Sequence, residues 1–280
     1  MQKRVSTPAK IVSYLILAAL VAVFAFPLLI ILMNSFKGKL YISDNLFAFV
    51  NNISFVGINN YSVGITRMNF FSALGTSVFL TVVSTGIICV VCSMTAWYLT
   101  RIKSRLNSIL YYAFVFSMIV PFQMVMFTTS FISNKLSLGT PWGLLVLYVG
   151  FGAGLSVFMF SGFIKSIPIQ IEEAAYIDGC SPLRCYFQVV FPVLRPSTVT
   201  VAILNMMWIW NDYLLPLITL DSKYTTLPIA IQKIFTGGYG AMDMGGLMAM
   251  LTLSIIPIIA VYILGQKYII EGVAAGAVKG

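Results

Sequence analysis

Six long apolar stretches, each closed at both ends by charge, set the rhythm of this chain. Residues 11–33 run uncharged between Lys10 and Lys37, and residues 68–100 between Arg67 and Arg101. Stretches 106–134 and 136–164 follow, then 196–220 with Asp212 as its single charge, and lastly 244–266. Each holds the roughly 20 apolar residues that a helix needs to cross a bilayer core of about 30 Å. Only a helix or a closed barrel satisfies its backbone there, and these runs lack the two-residue alternation of a barrel strand. The pattern predicts an all-α integral membrane protein with helices at about 11–34, 73–100, 106–133, 141–164, 197–220 and 245–267. The first run has 23 residues before its next polar position. A signal peptide carries about 7–15 in its apolar core, so this segment is expected to stay attached as an anchor.

Composition narrows the classes. The chain has 280 residues, 59% hydrophobic and 9% charged, with a mean hydropathy of +0.95. A soluble domain carries about 25% charged residues, so this one cannot cover a water-facing surface. Histidine is absent, which removes His-based catalysis and His metal sites. A net charge of +9 would suit nucleic acid on a basic face, but here the cations are scattered between apolar blocks. They read as topology signals instead. Eleven fall on one side (Lys3, Arg4, Lys10, Arg101, Lys103, Arg105, Lys165, Arg184, Arg195, Lys267, Lys279) and six on the other (Lys37, Lys39, Arg67, Lys135, Lys223, Lys233). The positive-inside rule therefore puts both termini in the cytoplasm. With no long polar linker, one membrane domain over residues 1–280 is expected.

No reaction chemistry converges. Cys89 and Cys92 sit three apart within a span among Val and Met, without the further ligands that close a zinc site. Cys180 and Cys185 fall on the reducing side, where a structural disulfide is not expected. There is no Walker A sequence and no nucleophile elbow. No catalytic residue, no metal and no cofactor is expected on this chain.

The informative segment is the cytoplasmic loop 165–195, KSIPIQIEEAAYIDGCSPLRCYFQVVFPVLR. Pro168 suits a first helical turn, and Glu172 and Glu173 suit the positive end of that helix. Ala174 and Ala175 propagate it, and Asp178-Gly179 offers a stop with Gly in the left-handed cap. Ser181-Pro182 restarts a helix as N-cap and first residue. Pro192 and Pro196 then end it before the fifth span. The residues alone leave two uses open for this helix pair, a tether lying at the interface or a surface that docks on another protein.

The spacing Glu173-Ala174-Ala175, three residues, Gly179, nine residues, Val189-x-Phe191-Pro192 resembles the EAA motif of ABC importer permeases. The likeness extends over nearly the whole chain and narrows to the maltose-type carbohydrate permeases, the MalG-like half of a heterodimer. It rests on Pro27 with Ser35-Phe36-Lys37, Pro121-x-Gln123, Gly162-Phe163, Ile167-Pro168, Trp210-Asn211-Asp212, Thr226-Leu227-Pro228 and the end Glu271-Gly272 through Gly280. Thr76 stands where the family usually has Asn, and Cys180 where it has Ala.

The resemblance implies the ABC importer transmembrane fold and an active complex of several chains. These are a second, different permease subunit, two ATPase subunits that bind ATP and Mg, and an extracytoplasmic solute-binding protein delivering a di- or oligosaccharide. The setting implied is the cytoplasmic (inner or plasma) membrane of a prokaryote. Glu172, Glu173, Ala174, Ala175, Asp178, Gly179 and Pro192 would form the ATPase-coupling loop. The tail 271–280, through Gly276, Val278, Lys279 and Gly280, would enter the interface between the ATPase subunits. Gly237, Gly238 and Tyr239 would belong to an outer loop that reaches the binding protein and helps release sugar. Asn211 and Asp212 are either translocation-path or gate residues, or Asp212 simply bonds a neighbouring helix. The rival class is a six-helix secondary transporter or channel with no ATPase, which would show several intramembrane acids or broken helices in inverted repeats.

Overall fold

The computed structural model describes residues 7–238 and 243–277, and proline decides where many of its helices break. In chain order these are α1 (Thr7–Asn34), α2 (Lys39–Asp44), α3 (Asn59–Arg67), α4 (Phe70–Arg101), α5 (Arg105–Ile119), α6 (Phe122–Lys135) and α7 (Pro141–Ile164). Then come α8 (Gln170–Ile177), α9 (Pro182–Cys185), a π-helical turn (Tyr186–Val190), α10 (Phe191–Val193), α11 (Arg195–Asn211), α12 (Leu214–Thr219), α13 (Leu227–Phe235) and α14 (Met244–Ala277). Four helices, α1, α4, α7 and α14, contain segments long and apolar enough to cross a bilayer. Two bent pairs bring the number to six if each pair is one span.

The pattern suggests one unbroken helix over 106–133, but the chain turns by 105° between α5 and α6. The break falls where it does because Pro121 pushes the preceding Val120 out of helical backbone into an extended one (ψ 117°). The chain also bends by 79° at Leu194, between α10 and α11, where Pro192 and Pro196, four residues apart, stand on either side of the bend and each lacks an N–H donor. The segment 197–220 also breaks, at Asp212. Pro216 lies four residues on, and a proline ring excludes the helical carbonyl at i−4, which is that of Asp212.

The chain folds as two compact units. In the first, residues 1–71 and 230–257, α3 lies against the start of α14. A Cβ on Gly64 would stand 2.8 Å from Met250 Cε, and one on Gly245 2.6 Å from Asn60 Oδ1. Glycine at both positions is what lets the helices approach. Arg67 pairs with Asp243 at 3.5 Å, and Asp243 Oδ1 accepts from Gly246 N–H at 2.9 Å, so one carboxylate caps α14 and ties it to α3.

The second unit comprises residues 72–229 and 258–280. Its core joins Leu80, Ile88, Cys92, Tyr148, Phe160, Tyr186, Leu194 and Val201. The central helix is α7, apolar on every face, as a helix surrounded by protein and lipid should be. Asn205 of α11 donates to Ser156 of α7 at 3.0 Å, an interhelical bond that replaces water where none is present.

Candidate functional site

The loop 165–195 builds its corner from local backbone chemistry. Helix α8 starts at Gln170, two residues after Pro168, with Glu172 and Glu173 in its first turn. It ends in a Schellman closure: Cys180 N–H bonds Ala175 C=O at 3.0 Å and Gly179 N–H bonds Tyr176 C=O at 3.0 Å. Gly179 takes φ +82°, a left-handed conformation in which a side chain would be strained. Ser181 Oγ then accepts from Arg184 N–H at 3.4 Å, and Pro182 opens α9. Past it, the π-helical turn absorbs the proline at 192, whose missing N–H leaves the Gln188 carbonyl without its usual partner. Pro192 itself is exposed.

Two adjacent acids have opposite fates. Glu172 is buried at 3% exposure. Its Oε1 accepts from Arg101 Nε at 2.8 Å and Nη2 at 2.6 Å, and its Oε2 accepts from Trp97 Nε1 at 2.8 Å. Arg101 Nη2 also donates to Ile167 C=O at 3.0 Å. This two-pronged pair with an indole donor satisfies the buried carboxylate, and charged, bidentate hydrogen bonds are the strong kind. It fastens the start of α8 to the cytoplasmic end of α4. Glu173 points outward and is exposed, as are Ala174, Asp178 and Gly179. Ala175 is buried.

Beside the Glu172 clamp lies a cleft of about 380 Å³, lined also by Tyr98, Ile102, Glu173, Tyr176 and Pro182. Burial, then the nearby Cys185 thiol and the Glu172 carboxylate, hold the Tyr176 hydroxyl above its ordinary pKa. Deeper in, Tyr186 Oη bonds Ser93 Oγ of α4 at 2.6 Å, and the Tyr186 ring packs on Trp97 with centroids 5.7 Å apart. Both helices of the loop are thus held by α4. Around the corner, Ile177 is 86% and Leu183 63% exposed, an apolar shoulder next to the outward acids.

At the far end of α11, Asp212 Oδ1 accepts from the N–H groups of Leu214 and Leu215 at 3.1 and 3.4 Å. Its Oδ2 accepts from Tyr148 Oη at 3.1 Å. It therefore caps the restart at α12 and bonds the neighbouring helix α7. Asn211 is exposed and donates to Met207 C=O at 2.7 Å. Gly237 has φ +76°, and Gly238 N–H closes α13 on Lys233 C=O at 2.7 Å. Tyr239, Val278, Lys279 and Gly280 lie outside the described residues, and Gly276 lies within the last turn of α14.

The apolar pattern gives no hint of Arg101, Trp97 or Tyr148 as site partners. Arg101 reads as a topology cation, yet Trp97 stands four residues before it and so shares its helix face. That pairing is the signal that could have found the clamp.

Residues 90–274 match the family of binding-protein-dependent transport system inner membrane components. The chain belongs to this family. Among its relatives, a probable starch degradation products transport system permease protein, AmyC of Thermoanaerobacterium thermosulfurigenes, is 39% identical, over 90% of this chain and 91% of its own length. The multiple sugar-binding transport system permease protein MsmG of Streptococcus mutans is 35% identical over 90% of this chain and 91% of its own. The fold is that of a solved chain from a bacterial ABC transporter involved in the import of the acidic polysaccharide alginate. The TM-score is 0.79 and the identity 20%, with 95% of this chain and 99% of that one covered. This family member is thus a multi-pass membrane permease component of an ABC importer.

Proposed function

We propose that this chain is one half of a heterodimeric permease that carries a di- or oligosaccharide into a prokaryotic cell by alternating access. Its partners are a second, different permease subunit, two ATPase subunits and an extracytoplasmic solute-binding protein. ATP and Mg belong to the ATPase subunits, and this chain supplies no catalytic residue. The carbohydrate class is supported by relatives named for starch products, multiple sugars and melibiose, raffinose and stachyose that match 90–95% of this chain.

The observation that carries the coupling role is the division of labour on α8. Glu172 is consumed inside the chain, so whatever moves α8 also moves α4. Glu173, Ala174 and the Ile177–Leu183 shoulder stay outside with no partner within the described residues. An exposed acid beside exposed apolar bulk suits a protein surface that offers a basic group within an apolar cleft. Glu173 is assigned to that contact, Gly179 to the bend behind it, and the tail 271–280 to the space between the ATPase subunits. The outer residues Gly237, Gly238 and Tyr239 are assigned to the loop that meets the binding protein. Asp212 is assigned to holding α12 in place rather than to a gate.

Transport by the reconstituted complex tests the reading. Proteoliposomes with both permeases, the ATPase and a panel of sugar-loaded binding proteins are expected to take up one sugar class only when ATP is supplied. Uptake by this chain alone, driven by an ion gradient, would establish the secondary-transporter class instead.

A further inference from the structure

We infer that the outer segment around residues 46–58 is a lipid-contacting anchor, seated in the boundary between headgroups and acyl chains beside α1. The helix α1 leaves its most apolar 18-residue window entirely unburied. Tyr14, Leu15, Leu17, Val21 and Phe24 are between 55% and 75% exposed. The four consecutive residues Tyr14, Leu15, Ile16 and Leu17 are all exposed and point about 100° apart, so exposure goes right round the helix, one protein partner cannot cover every face, and lipid must meet the rest.

The chain then leaves α1 at Asn34, turns through α2 and comes back. The rings of Phe26 and Phe47 stack with centroids 6.3 Å apart and planes 5° apart. Phe26 lies eight residues before the end of α1, about 12 Å back along the helix, so the returning segment runs beside a span rather than above it. Its return is pinned. Asn34 Nδ2 donates to Leu46 C=O at 2.9 Å, and Asn45 Oδ1 accepts from the N–H groups of Phe47 and Ala48, each at 3.0 Å.

The surface so displayed is apolar and aromatic: Phe47 is 64%, Phe49 86%, Ile53 75% and Ile58 74% exposed. Residues 45–66 carry no charged side chain, unusual for an extramembrane segment facing water. Left in water this surface would cost about 25 cal/mol for each Å² of apolar area. Aromatic rings at the level of the headgroups remove that cost, and Asn45, Asn51 and Asn52 can remain hydrated there. The absence of charge and the continuity with the lipid-facing α1 select lipid over a protein partner, whose rim would be polar.

Nitroxide accessibility decides it in the reconstituted whole complex. Cys89, Cys92 and Cys185 are buried, so Cys180→Ala leaves a background in which a label reports Phe49→Cys or Phe47→Cys. Oxygen, which concentrates in lipid, is expected to collide with either label more often than a water-soluble nickel chelate does. The depth should be about 5–10 Å below the phosphates, while the label at Lys135→Cys favours nickel. Nickel dominating at both phenylalanine sites would place the segment in water and overturn the inference. So would low collision with both reagents, which would mean that a protein covers it. Agreement of the two sites guards against a local effect of either substitution.

Discussion

The cytoplasmic loop 165–195 and the outer segment 45–66 are both connectors, and they solve opposite problems. The first gathers charge. It spends one carboxylate, Glu172, on a buried clamp to α4 and leaves a second, Glu173, outside. The second has no charge at all and leaves its phenylalanines outside. One is built to be held rigidly while offering a polar contact, and the other to be wetted by lipid. A connector's exposed chemistry, more than its length, tells what it meets.

The largest effect is expected at the buried Arg101–Glu172 clamp. Arg101→Gln should leave the Glu172 carboxylate buried without its cation, at a cost of about 3–5 kcal/mol. A sharply lowered thermal midpoint of the purified permease, with transport lost, is the expected result. Arg101→Leu combined with Glu172→Leu removes both charges and should recover most of the midpoint, since an apolar replacement of a buried pair is often neutral. If Arg101→Gln leaves the midpoint unchanged, the pair does not hold α8.

The corner comes next. Gly179→Ala puts a side chain at φ +82°, costing about 1–2 kcal/mol. Transport should fall several-fold while ATPase activity without sugar persists, because the bend sets the pose of α8 rather than its existence. Equal loss of both activities would assign Gly179 to folding alone.

Asp212 separates a cap from a charge. Asp212→Ala removes an acceptor shared by two backbone N–H groups and Tyr148, costing about 0.5–2 kcal/mol. Asp212→Asn keeps an acceptor and should retain transport, measured as sugar uptake. Transport abolished by Asn would mean that the negative charge itself acts in the path.

The smallest effect lies in the first unit. Lys37 is 1% exposed and its Nζ has one long bond, 3.4 Å to Asn45 C=O. Burial lowers its pKa from 10.5, so the unfolded chain holds more protons between that lowered value and 10.5. Stability should therefore rise with pH across that window. In Lys37→Met the rise should vanish, a difference of about 1–2 °C in Tm. A midpoint that falls across the window in the parent protein would contradict the assignment.

How much of this could be read beforehand depends on range. The corner was legible because Asp178-Gly179 and Ser181-Pro182 are local signals, and local backbone chemistry fixes caps. The break at Asp212 was also written in the sequence, four residues before Pro216, but the apolar run hid it. The 105° turn at Pro121 exceeds what one proline dictates, since packing of α5 on α7 chooses the angle. A Cβ on Gly154 would stand 2.8 Å from Phe114 C=O, so that approach is close. The fates of Glu172 and Glu173 were beyond reach. Neighbours on a helix differ by about 100° in direction, and only the position of α4 decides which one is inward.

In the proposed complex Glu173 faces the ATPase while Glu172 belongs to this chain's own interior. Retention of the ATPase subunit on proteoliposomes tests it most directly, comparing the parent permease with Glu173→Lys at matched thermal midpoints. Glu173→Lys should keep the fold and lose the ATPase, with binding restored when a basic residue on the ATPase surface is changed to an acid. Full retention of the ATPase by Glu173→Lys would contradict the account and return the exposed face of α8 to the role of a tether.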